Sequence, residues 1–391
     1  MTDETLDRIA AFHPELTDIR RDIHAHPELG LEEHRTADIV ARKLEEWGIE
    51  VHRGVGVTGV VGVLRNGNGQ ASVGLRADMD ALPVTEITDV PYASQNPGRM
   101  HACGHDGHTT MLLGAAKYLA DTRNFNGTVN FIFQPAEEGT GGALAMLKDK
   151  LFERFPCDAI YGMHNRPGMP VGSFNLGSGV RSAGGAFFDI SITGKGAHGA
   201  RPEQSIDPVL VACHIGTALQ SIVSRNISPN DTGVISVTRI LTGDAYNVIP
   251  QSATMSGTVR TMKRETMTLI ETNMRRMVES VAAGFGAEAS LDFRLIFAPM
   301  VAADDEARLL GDAAAELVGE DKVRRDAPAG MGSEDFSFML EQVPGAHIGI
   351  GNGPSAALHN HLYNFNDEAI PYGVALWAKI TEKKLPKGAV D

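Results

Sequence analysis

The stretch AFFDISI at residues 186–192 predicts a buried strand and begins a run of six elements whose order decides the fold. The next five patterns predict, in turn, a helix (DPVLVACHIGTALQSIV, 207–223), a strand (VISVTRI, 234–240), a strand (ATMSGTVRTM, 253–262), a helix (ETMTLIETNMRRMVESVAAGF, 265–285) and a strand (ASLDFRLIF, 289–297). This order is the split βαβ arrangement, a four-stranded sheet covered on one face by two helices. We therefore expect an α+β domain over residues 184–297.

The sequence on both sides of this insert predicts a different architecture. Before it, helical apolar spacing between Leu16 and Trp47 precedes short apolar strands and a helix from about His108 to Leu119. Beyond it, two helical patterns flank one more strand near residues 346–350. Alternating helices and buried strands are typical of an α/β layer fold. The chain is thus expected to form one discontinuous α/β domain, residues 1–183 and 298–391, interrupted by the insert.

Composition narrows the class of protein. The 391 residues are 42% hydrophobic and 21% charged, which is typical of a globular chain and excludes a disordered or collagenous one. A net charge of -14 would repel a phosphate backbone, so nucleic acid is not an expected partner. The acidic start lacks the pattern of a signal peptide, and no apolar run approaches the roughly 18 residues of a membrane span. A soluble, cytoplasmic protein without membrane contact is expected.

A first cluster of metal-capable side chains lies in MHACGHDGH, residues 100–108, which holds three histidines, a cysteine and an acid. Buried imidazoles must find partners or lose solvation, so this density is hard to explain as packing. Cys103 and His105 are two residues apart, and in an extended loop both could turn toward one ion. An isolated pair of this kind would more often be a core cysteine beside a surface histidine.

A second cluster ends the apolar stretch GTVNFIFQPAEEG, residues 127–139, with Glu137 and Glu138. Adjacent residues in extended backbone face opposite ways, which would let one bind a metal and the other face the substrate. A solvated acidic turn is the alternative. His164 follows another apolar strand, and sites in open α/β sheets gather beyond the carboxyl ends of strands. Asp78, Glu138 and His164 are therefore expected to meet.

The stretch GVGVTG at residues 54–59 has the glycine spacing of a dinucleotide-binding loop. Such a loop requires that its third glycine open a helix whose N-terminus holds the pyrophosphate. Here VVGVL follows, which predicts a strand. A nicotinamide cofactor is therefore not expected.

Nine motifs occur in order along nearly the whole chain: HPELGLEE (26–33), GLRADMDALP (74–83), MHACGHDGHTTMLLGAA (100–116), GTVNFIFQPAEEG (127–139), GMHN (162–165), GKGAHGARP (194–202), ALQSIVSRNISP (218–229), AYNVIPQSATMSGTVRTM (245–262) and GSEDFSF (332–338). Together they resemble the hippurate hydrolase and indole-acetyl-amino-acid hydrolase branch of the metallo-carboxypeptidase/aminoacylase family. The resemblance implies a catalytic domain that binds two metal ions and an inserted lid domain that commonly dimerises.

Carried over residue by residue, the resemblance implies five metal ligands: Cys103, His105, Glu138, His164 and His359. His359 is chosen because LHNHLYNFND, residues 358–367, is similar to the family's last motif. Glu137 falls on the catalytic base. His198 falls on the lid histidine that stabilises the oxyanion, in its own site or in that of the neighbouring subunit.

Four further residues are expected at the site. Asp78 and Asp106 are expected to support ligand imidazoles from behind. Arg260 is suited to bind the carboxylate of the leaving amino acid, although an arginine in a surface ion pair is the alternative. Asn247 is either a contact on the oxyanion side or a turn residue before Pro250.

Departures from the family pattern concern two residues. His361 stands where the family usually has proline, and we expect a surface histidine rather than an additional donor. Glu203 stands where relatives often have histidine, which leaves the fine substrate preference open. Cys213 lies on the apolar stripe of a predicted helix and is expected in the core.

The resemblance implies a metal-dependent amidohydrolase that cleaves N-acyl or N-aroyl amino acids with a metal-activated water. Its cofactors would be two divalent ions; a thiolate ligand favours Zn²⁺, but Mn²⁺, Co²⁺ and Ni²⁺ also suit mixed ligands. One alternative is a deacetylase of N-acetyl amino acids or N-acetyldiaminopimelate. Another is a non-catalytic metal- or conjugate-binding protein, which would not need Glu137. The expected partners are a small N-acyl amino acid and further copies of the chain, in a homodimer or larger homo-oligomer through the lid.

Overall fold

The computed structural model describes residues 4–387, so the first three and last four residues of the predicted catalytic domain lie outside the described residues. The helices are α1 (Glu4–Ala10), α2 (His13–Ala25), α3 (His34–Glu46), α4 (His105–Thr122), α5 (Gly142–Lys148), α6 (Leu151–Arg154), α7 (Pro208–Arg225), α8 (Arg264–Gly284), α9 (Asp304–Val318), α10 (Phe336–Leu340) and α11 (Ile370–Lys384). The strands are β1 (Glu50–Val55), β2 (Gly59–Asn66), β3 (Ser72–Asp78), β4 (Gly127–Gln134), β5 (Ala159–Arg166), β6 (Phe174–Asn175), β7 (Gly179–Ser182), β8 (Gly184–Thr193), β9 (Ala197–His198), β10 (Gly233–Leu241), β11 (Val248–Ile249), β12 (Ser252–Thr261), β13 (Glu288–Phe297), β14 (Met300–Ala302), β15 (Val323–Arg324) and β16 (Gly345–Gly351).

The chain divides into two compact units. The first contains the chain up to Arg181, Val301–Pro328 and the chain from Asp335 onward. The second contains Ser182–Met300 and Ala329–Glu334. The second unit therefore begins and ends within three residues of the predicted insert and also takes up part of the glycine-rich loop before α10.

An eight-stranded sheet forms the first unit, in the order β1-β2-β4-β3-β5-β16-β6-β15. Strands β4, β3, β5 and β16 run parallel, whereas β2 joins β4 and β1 joins β2 in antiparallel pairs. The predicted α/β architecture is confirmed, and the structure builds it on this large mixed sheet. The carboxyl ends of the four parallel strands meet at one edge of the sheet.

Helix α4 lies at the centre of the first unit. The four residues of its predicted apolar stripe, Met111, Leu112, Ala115 and Leu119, are fully buried. The helix packs against α2 and α11, and all three contribute to the large core beside the sheet. Burial of this stripe holds the N-terminal turn of α4 next to the carboxyl ends of the strands.

Two local patterns differ from the expectation. The helical spacing predicted between Leu16 and Trp47 is divided into α2 and α3 by residues 26–33. Helix α4 starts at His105, three residues before the predicted start at His108. Periodicity finds the apolar stripe of a helix but not its first turn, whose side chains here are polar.

The second unit contains an antiparallel sheet in the order β10-β12-β8-β13. Helices α7 and α8 pack against each other and against this sheet, with a core of their own. Burial alternates along β8 and β12, so that one face of each strand meets the helices and the other is more exposed.

Cys213 was expected in the core and is instead exposed on α7. The buried stripe of this helix contains Val211, Ile215 and Leu219, whereas Cys213 shares the outer face with Val209 and Leu210. The exposed face of α7 is also apolar in its first turns, so hydrophobicity alone did not identify the buried side. None of the helices described within residues 4–387 has the length and apolar character needed to cross a membrane.

Candidate metal centre

The carboxyl ends of the parallel strands bring most of the predicted ligands together. Strand β4 is followed by the turn that carries Glu138, and His164 lies near the end of β5. Between them β3 ends at Asp78, which is followed by Asp80. His105 begins α4 at the same edge of the sheet, where it lies against Asp80.

Within the first unit, the ligand atoms of the five predicted residues form two groups that share Cys103. One group is Cys103, His105 and His164; the other is Cys103, Glu138 and His359. In each group the candidate ligand atoms lie within 4.8 Å of one another. A third group of the same size joins His105 to Glu138 and Glu137. The candidate ligands and the candidate base therefore occupy one site.

His105 is held by the start of α4 and by one carboxylate. The preceding Gly104 has a left-handed φ of 89°, and a Cβ there would lie 2.4 Å from Nδ2 of Asn165, so only glycine fits. The His105 Nδ1 lies 3.1 Å from Oδ1 of Asp80. Its Nε2 is buried and has no hydrogen-bond partner among the described residues. This nitrogen is thus turned toward the other candidate ligands and is available to a metal.

Glu137 and Glu138 lie in a turn rather than in extended backbone. Strand β4 ends at Gln134, and Ala136 then adopts a left-handed φ of 53°. Because the chain reverses there, the two carboxylates do not face opposite ways as expected; both lie within 4.8 Å of the nearest His105 ring nitrogen. The Oε1 of Glu138 lies 3.3 Å from Nε2 of His359 and 3.9 Å from Nε2 of His105.

Cys103 and His164 form the buried side of the site. The Cys103 Sγ lies 3.3 Å from Nε2 of His164. The other ring nitrogen of His164 donates to the carbonyl of Asn165 at 2.8 Å, which leaves Nε2 without a proton in the neutral ring. Burial lowers the pKa of His164 well below its usual range, so the ring is in the neutral, metal-binding form at pH 7.

The electrostatics of the site favour an added cation. Burial lowers the pKa of His105, but the charge of Asp78 and the neighbouring Cys103 outweigh burial and raise this pKa well above its usual range. The site therefore stabilises positive charge at His105. Burial, together with the charge of Glu138, raises the pKa of the Cys103 thiol. A divalent cation would satisfy both residues, since it would replace the proton on His105 and stabilise the thiolate.

His359 is the last of the five candidate ligands, and its backbone conformation is unusual for a residue with a side chain. Its φ of 63° is left-handed, and its N–H donates to the carbonyl of Ala102 at 2.8 Å. This backbone bond ties His359 to the loop that carries Cys103. Its side chain is 55% exposed, so His359 forms the open side of the site.

Among the described contacts, the Asp78 carboxylate approaches His105 but forms no hydrogen bond with a candidate ligand. Its Oδ1 lies 2.6 Å from Nδ1 of His108, and its Oδ2 accepts a hydrogen bond from the buried Arg76 at 2.7 Å. The other ring nitrogen of His108 accepts the N–H of Asn165 at 3.0 Å. His108 is therefore a buried structural histidine with both nitrogens occupied. The distance from Asp78 Oδ2 to Nε2 of His105 is 3.8 Å.

Asp106 belongs to a buried ionic network behind the site. Its Oδ2 lies 2.8 Å from Nδ1 of His24 and accepts a longer bond from Arg20 at 3.4 Å. The His24 Nε2 lies 3.3 Å from Glu86. Burial lowers the pKa of His24, but Asp106 and Glu86 outweigh it and raise this pKa to about 9. Asp106 thus links α4 to α2 and contacts no candidate ligand through its carboxylate.

Two positioning residues were missed by sequence reasoning. Asp80 contacts His105 through Oδ1, and its Oδ2 accepts the N–H of Glu138 at 2.9 Å. Buried Asn165 donates to the carbonyl of Cys103 at 2.6 Å. Both were visible in the quoted motifs, since Asp80 lies two residues after Asp78 and Asn165 directly follows His164. Only contact distances distinguish Asp80 from Asp78.

Three predicted residues lie in the second unit. Strand β9 pairs with β11 so that His198 faces Val248, and the N–H of Gly199 donates to the carbonyl of Asn247 at 2.7 Å. His198 and Asn247 are exposed neighbours. The N–H of Ala200 donates to Nδ1 of His198 at 3.0 Å, so the neutral ring carries its proton on Nε2 and presents a donor.

Arg260 lies on β12 and is half-buried. Its Nη1 donates to the hydroxyl of Thr258 and, at 2.9 Å, to the carbonyl of Val259. No carboxylate within the described part of the chain pairs with it, and burial lowers the pKa of this guanidinium. Within residues 4–387, Arg260 therefore does not form the surface ion pair that was the alternative.

The two departures from the family pattern lie on the surface. His361 is exposed, and its Nδ1 lies 2.6 Å from the carbonyl of Thr85. Glu203 is exposed in a short 3₁₀ turn of the second unit. Neither residue contacts a candidate ligand among the described contacts.

Comparison with known proteins gives the family. Residues 74–383 match the family described as peptidase family M20/M25/M40. The chain is 44% identical over 384 residues to a hippurate hydrolase of Campylobacter jejuni, covering 97% of this chain and 99% of that one. It is 39% identical to an N-acetylcysteine deacetylase of Bacillus subtilis, covering 95% and 97%.

A solved structure agrees with these sequence relatives. The YXEP protein of Bacillus subtilis, described as a dinuclear metal binding peptidase from the M20 family, superposes with a TM-score of 0.83 at 35% identity. The match covers 96% of this chain and 99% of that one. Because the family match and both relatives extend over most of the chain, the protein belongs to peptidase family M20/M25/M40.

Proposed function

We propose that this protein is a metal-dependent amidohydrolase that cleaves the amide bond of N-acyl and N-aroyl amino acids. The observation that carries the proposal is the gathering of five metal-capable side chains in groups that share Cys103, with a second carboxylate, Glu137, close to His105 and Glu138. A site that only bound metal would not require Glu137. The relatives include a hippurate hydrolase and an N-acetylcysteine deacetylase, both of which act on N-acyl amino acids.

The site fits two divalent ions. The proposed ligands combine a thiol, three imidazoles and a carboxylate: Cys103, His105, His164, His359 and Glu138. A bound cation would give Nε2 of His105 a partner. It would also take the place of the proton that the raised pKa of His105 favours. When bound, two such ions supply positive charge that polarises a carbonyl and acidifies water. The sulfur ligand favours Zn²⁺, with Mn²⁺, Co²⁺ and Ni²⁺ as alternatives.

The chain's own residues move the proton and hold the charge. Glu137 takes a proton from the attacking water and delivers it to the nitrogen of the leaving amine. His198 donates a hydrogen bond from its Nε2–H to the developing oxyanion, in the tautomer that the hydrogen bond from the N–H of Ala200 favours. Asn247, next to His198, is proposed to contact the same side of the substrate.

The direct test is a substrate panel with metal-reconstituted protein. N-benzoyl, indole-acetyl and N-acetyl amino acids should be compared by kcat/KM, with N-acetyldiaminopimelate included. We expect N-acyl or N-aroyl amino acids with a free carboxylate to be hydrolysed. Selective turnover of N-acetyldiaminopimelate would favour the biosynthetic deacetylase. Metal binding without turnover of any member would contradict the proposal.

Asp80→Asn should weaken metal affinity about 10- to 100-fold, the usual effect of removing a carboxylate behind a ligand histidine. The amide cannot accept both the ring proton of His105 and the N–H of Glu138, which Asp80 now does. Competition with a chelator would measure this change.

Asp158→Asn is the matched control for Asp80. The Asp158 carboxylate accepts the N–H of Ser72 at 2.8 Å, at the opposite end of β3. Metal affinity should be unchanged in this variant. Equal loss in the two variants would show that the effect of Asp80 comes from the stability of β3.

Arg260 is proposed to bind the substrate carboxylate, because it is half-buried and has no acidic partner among the described residues. Converting the substrate carboxylate to an amide should cost about 1.5–3 kcal/mol in kcat/KM. In Arg260→Ala this discrimination should nearly vanish.

Arg294 provides the control for Arg260. It lies on β13, which is separated from β12 by β8 in the same sheet, and it pairs with Asp189 and Asp292. Arg294→Ala should therefore keep the full discrimination between acid and amide. If Arg260→Ala also keeps it, the carboxylate is recognised by another residue.

We propose that two copies associate through the second unit. Strand β10 is an outer strand of its sheet, with exposed Ile240 and Leu241 near its end. Tyr246 and Val248 follow and are also exposed. An unpaired strand edge with apolar side chains favours pairing with another strand. A second copy of this chain would cover both the edge of β10 and these exposed apolar side chains.

A further inference from the structure

The motif HPELGLEE, residues 26–33, has no part in the function proposed above. Its last residue, Glu33, stands at the N-cap position of α3, yet its carboxylate does not cap that helix. The side chain is fully buried instead. Its Oε1 accepts the N–H of Ala136 at 2.7 Å, and its Oε2 accepts the hydroxyl of Thr58 at 2.5 Å. Glu33 thus reaches the turn that follows β4.

The Glu33 carboxylate is buried without a compensating cation. No lysine, arginine or histidine within residues 4–387 forms an ion pair with it. Burial raises the pKa of Glu33 to about 7, and the charge of Asp80 acts in the same direction. A buried, unpaired carboxylate destabilises a fold, and such violations concentrate at functional sites. The partners of its two hydrogen bonds, Ala136 and Thr58, indicate the function of the Glu33 side chain.

Ala136 is the residue that needs to be held. Its φ of 53° lies in the left-handed region, which residues with a Cβ adopt at a cost. The two residues after it are Glu137 and Glu138. A change of the backbone at Ala136 would therefore redirect both carboxylates. The same turn is also closely packed, because a Cβ at Gly30 would lie 3.0 Å from the Ala136 Cα.

We propose that Glu33 is a positioning residue that holds the N–H of Ala136 and thereby keeps Glu137 and Glu138 in the geometry required for amide hydrolysis. The inference rests on the proposed function of those two glutamates. Without the Glu33 oxygen, the N–H of Ala136 would be buried without a partner. Ala136 would then relax from the left-handed region and move both carboxylates.

Two substitutions at Glu33 separate its acceptor from its charge. Glu33→Gln keeps a carbonyl oxygen for Ala136, and its amide group can donate to the Thr58 oxygen, so kcat should stay close to wild type. Glu33→Ala removes the acceptor and should lower kcat about 100-fold, the scale of a displaced catalytic group, with KM nearly unchanged. If Glu33→Ala does not fold, Glu33→Met fills the same space without an acceptor and should show the same loss.

A matched control lies in the same motif. The Glu28 carboxylate accepts the N–H groups of Arg35 and Thr36 at 2.9 and 2.8 Å, which caps α3, and it contacts no residue of the 135–140 turn. Glu28→Ala should therefore lower the melting temperature while kcat stays at the wild-type value. A general effect of destabilising this segment would instead lower kcat in both Glu28→Ala and Glu33→Ala.

Hydrogen exchange of the metal-free protein tests the contact independently of catalysis. Peptides covering residues 134–142 should lose protection in Glu33→Ala and keep it in Glu33→Gln. A further variant, Ala136→Gly, accepts the left-handed conformation without strain. Combined with Glu33→Ala, it should recover part of the lost kcat.

The outcomes distinguish this inference from the proposed function. Wild-type kcat in Glu33→Ala or Glu33→Met, an equal kcat loss in Glu33→Gln, or unchanged exchange at 134–142 would overturn the role of Glu33. Full activity of Glu137→Gln would instead overturn the proposed function, while the exchange result would still report whether Glu33 holds the turn.

Discussion

Replacing Glu137 with glutamine is expected to lower kcat about 10²- to 10⁴-fold while bound metal stays near the wild-type amount. The amide is nearly the same size as the carboxylate but cannot accept a proton from water at neutral pH. Since Glu137 is proposed as the base and not as a ligand, its loss should leave the metal in place. Metal analysis and turnover of an N-benzoyl amino acid, measured on the same preparation, would check this result.

Glu138→Gln should behave differently, because Glu138 is the proposed ligand. Its Oε1 is the point toward which Nε2 of His359 and Nε2 of His105 converge, at 3.3 and 3.9 Å. Glutamine removes the negative charge there, so metal and activity should be lost together. Each glutamate variant is the control for the other. Equal loss of metal in both would mean that the two carboxylates do not have separate functions.

His198→Ala is expected to lower kcat about 10²- to 10³-fold, the effect of removing one donor to an oxyanion. The expectation depends on the N–H of Ala200, which occupies Nδ1 and leaves the proton on Nε2. His214→Ala is a suitable control, because His214 is exposed on α7 of the same unit and packs against the ring of Phe285. A full kcat in His198→Ala would require a different oxyanion donor.

Mixing two inactive variants shows whose site His198 completes. If His198 acts in the partner's site, His198→Ala and Glu137→Gln should together recover about a quarter of the wild-type activity, because half of the dimers would be hybrid, each with one complete site. If His198 acts in its own subunit, no activity should return. Light scattering must show dimers for the mixing to be informative, and a fully active monomer would exclude the first case.

Much of the architecture could be read from periodicity. The apolar stripe of α4 was predicted at Met111, Leu112, Ala115 and Leu119, and all four are buried. Periodicity failed at Cys213, because α7 has apolar residues on both faces near its start and only packing against the sheet decides which face is covered. It also placed the start of α4 too late, because the side chains of the first turn are polar and do not continue the apolar pattern.

For the site, the motifs supplied residue types and the structure supplied contacts. The five side chains named from the resemblance lie next to one another in the first unit, in groups that share Cys103. Sequence spacing does not show which of Asp78 and Asp80 contacts His105, because Asp78 ends β3 and Asp80 lies only two residues later. The distances separate them, at 3.1 Å from Asp80 to Nδ1 and 3.8 Å from Asp78 to Nε2.

The sequence by itself determined the order of the main helices and strands, which depends on apolar repeats of two or about 3.6 residues. The resemblance of its motifs to a known family, and not periodicity, named the candidate metal ligands. Only the tertiary structure decided how the polar atoms pair. The left-handed backbone at Gly104 and Ala136 directs His105 and the two glutamates into the site. These conformations depend on distant partners, such as Glu33, 103 residues from Ala136 along the chain, and no local pattern of residues encodes such a contact.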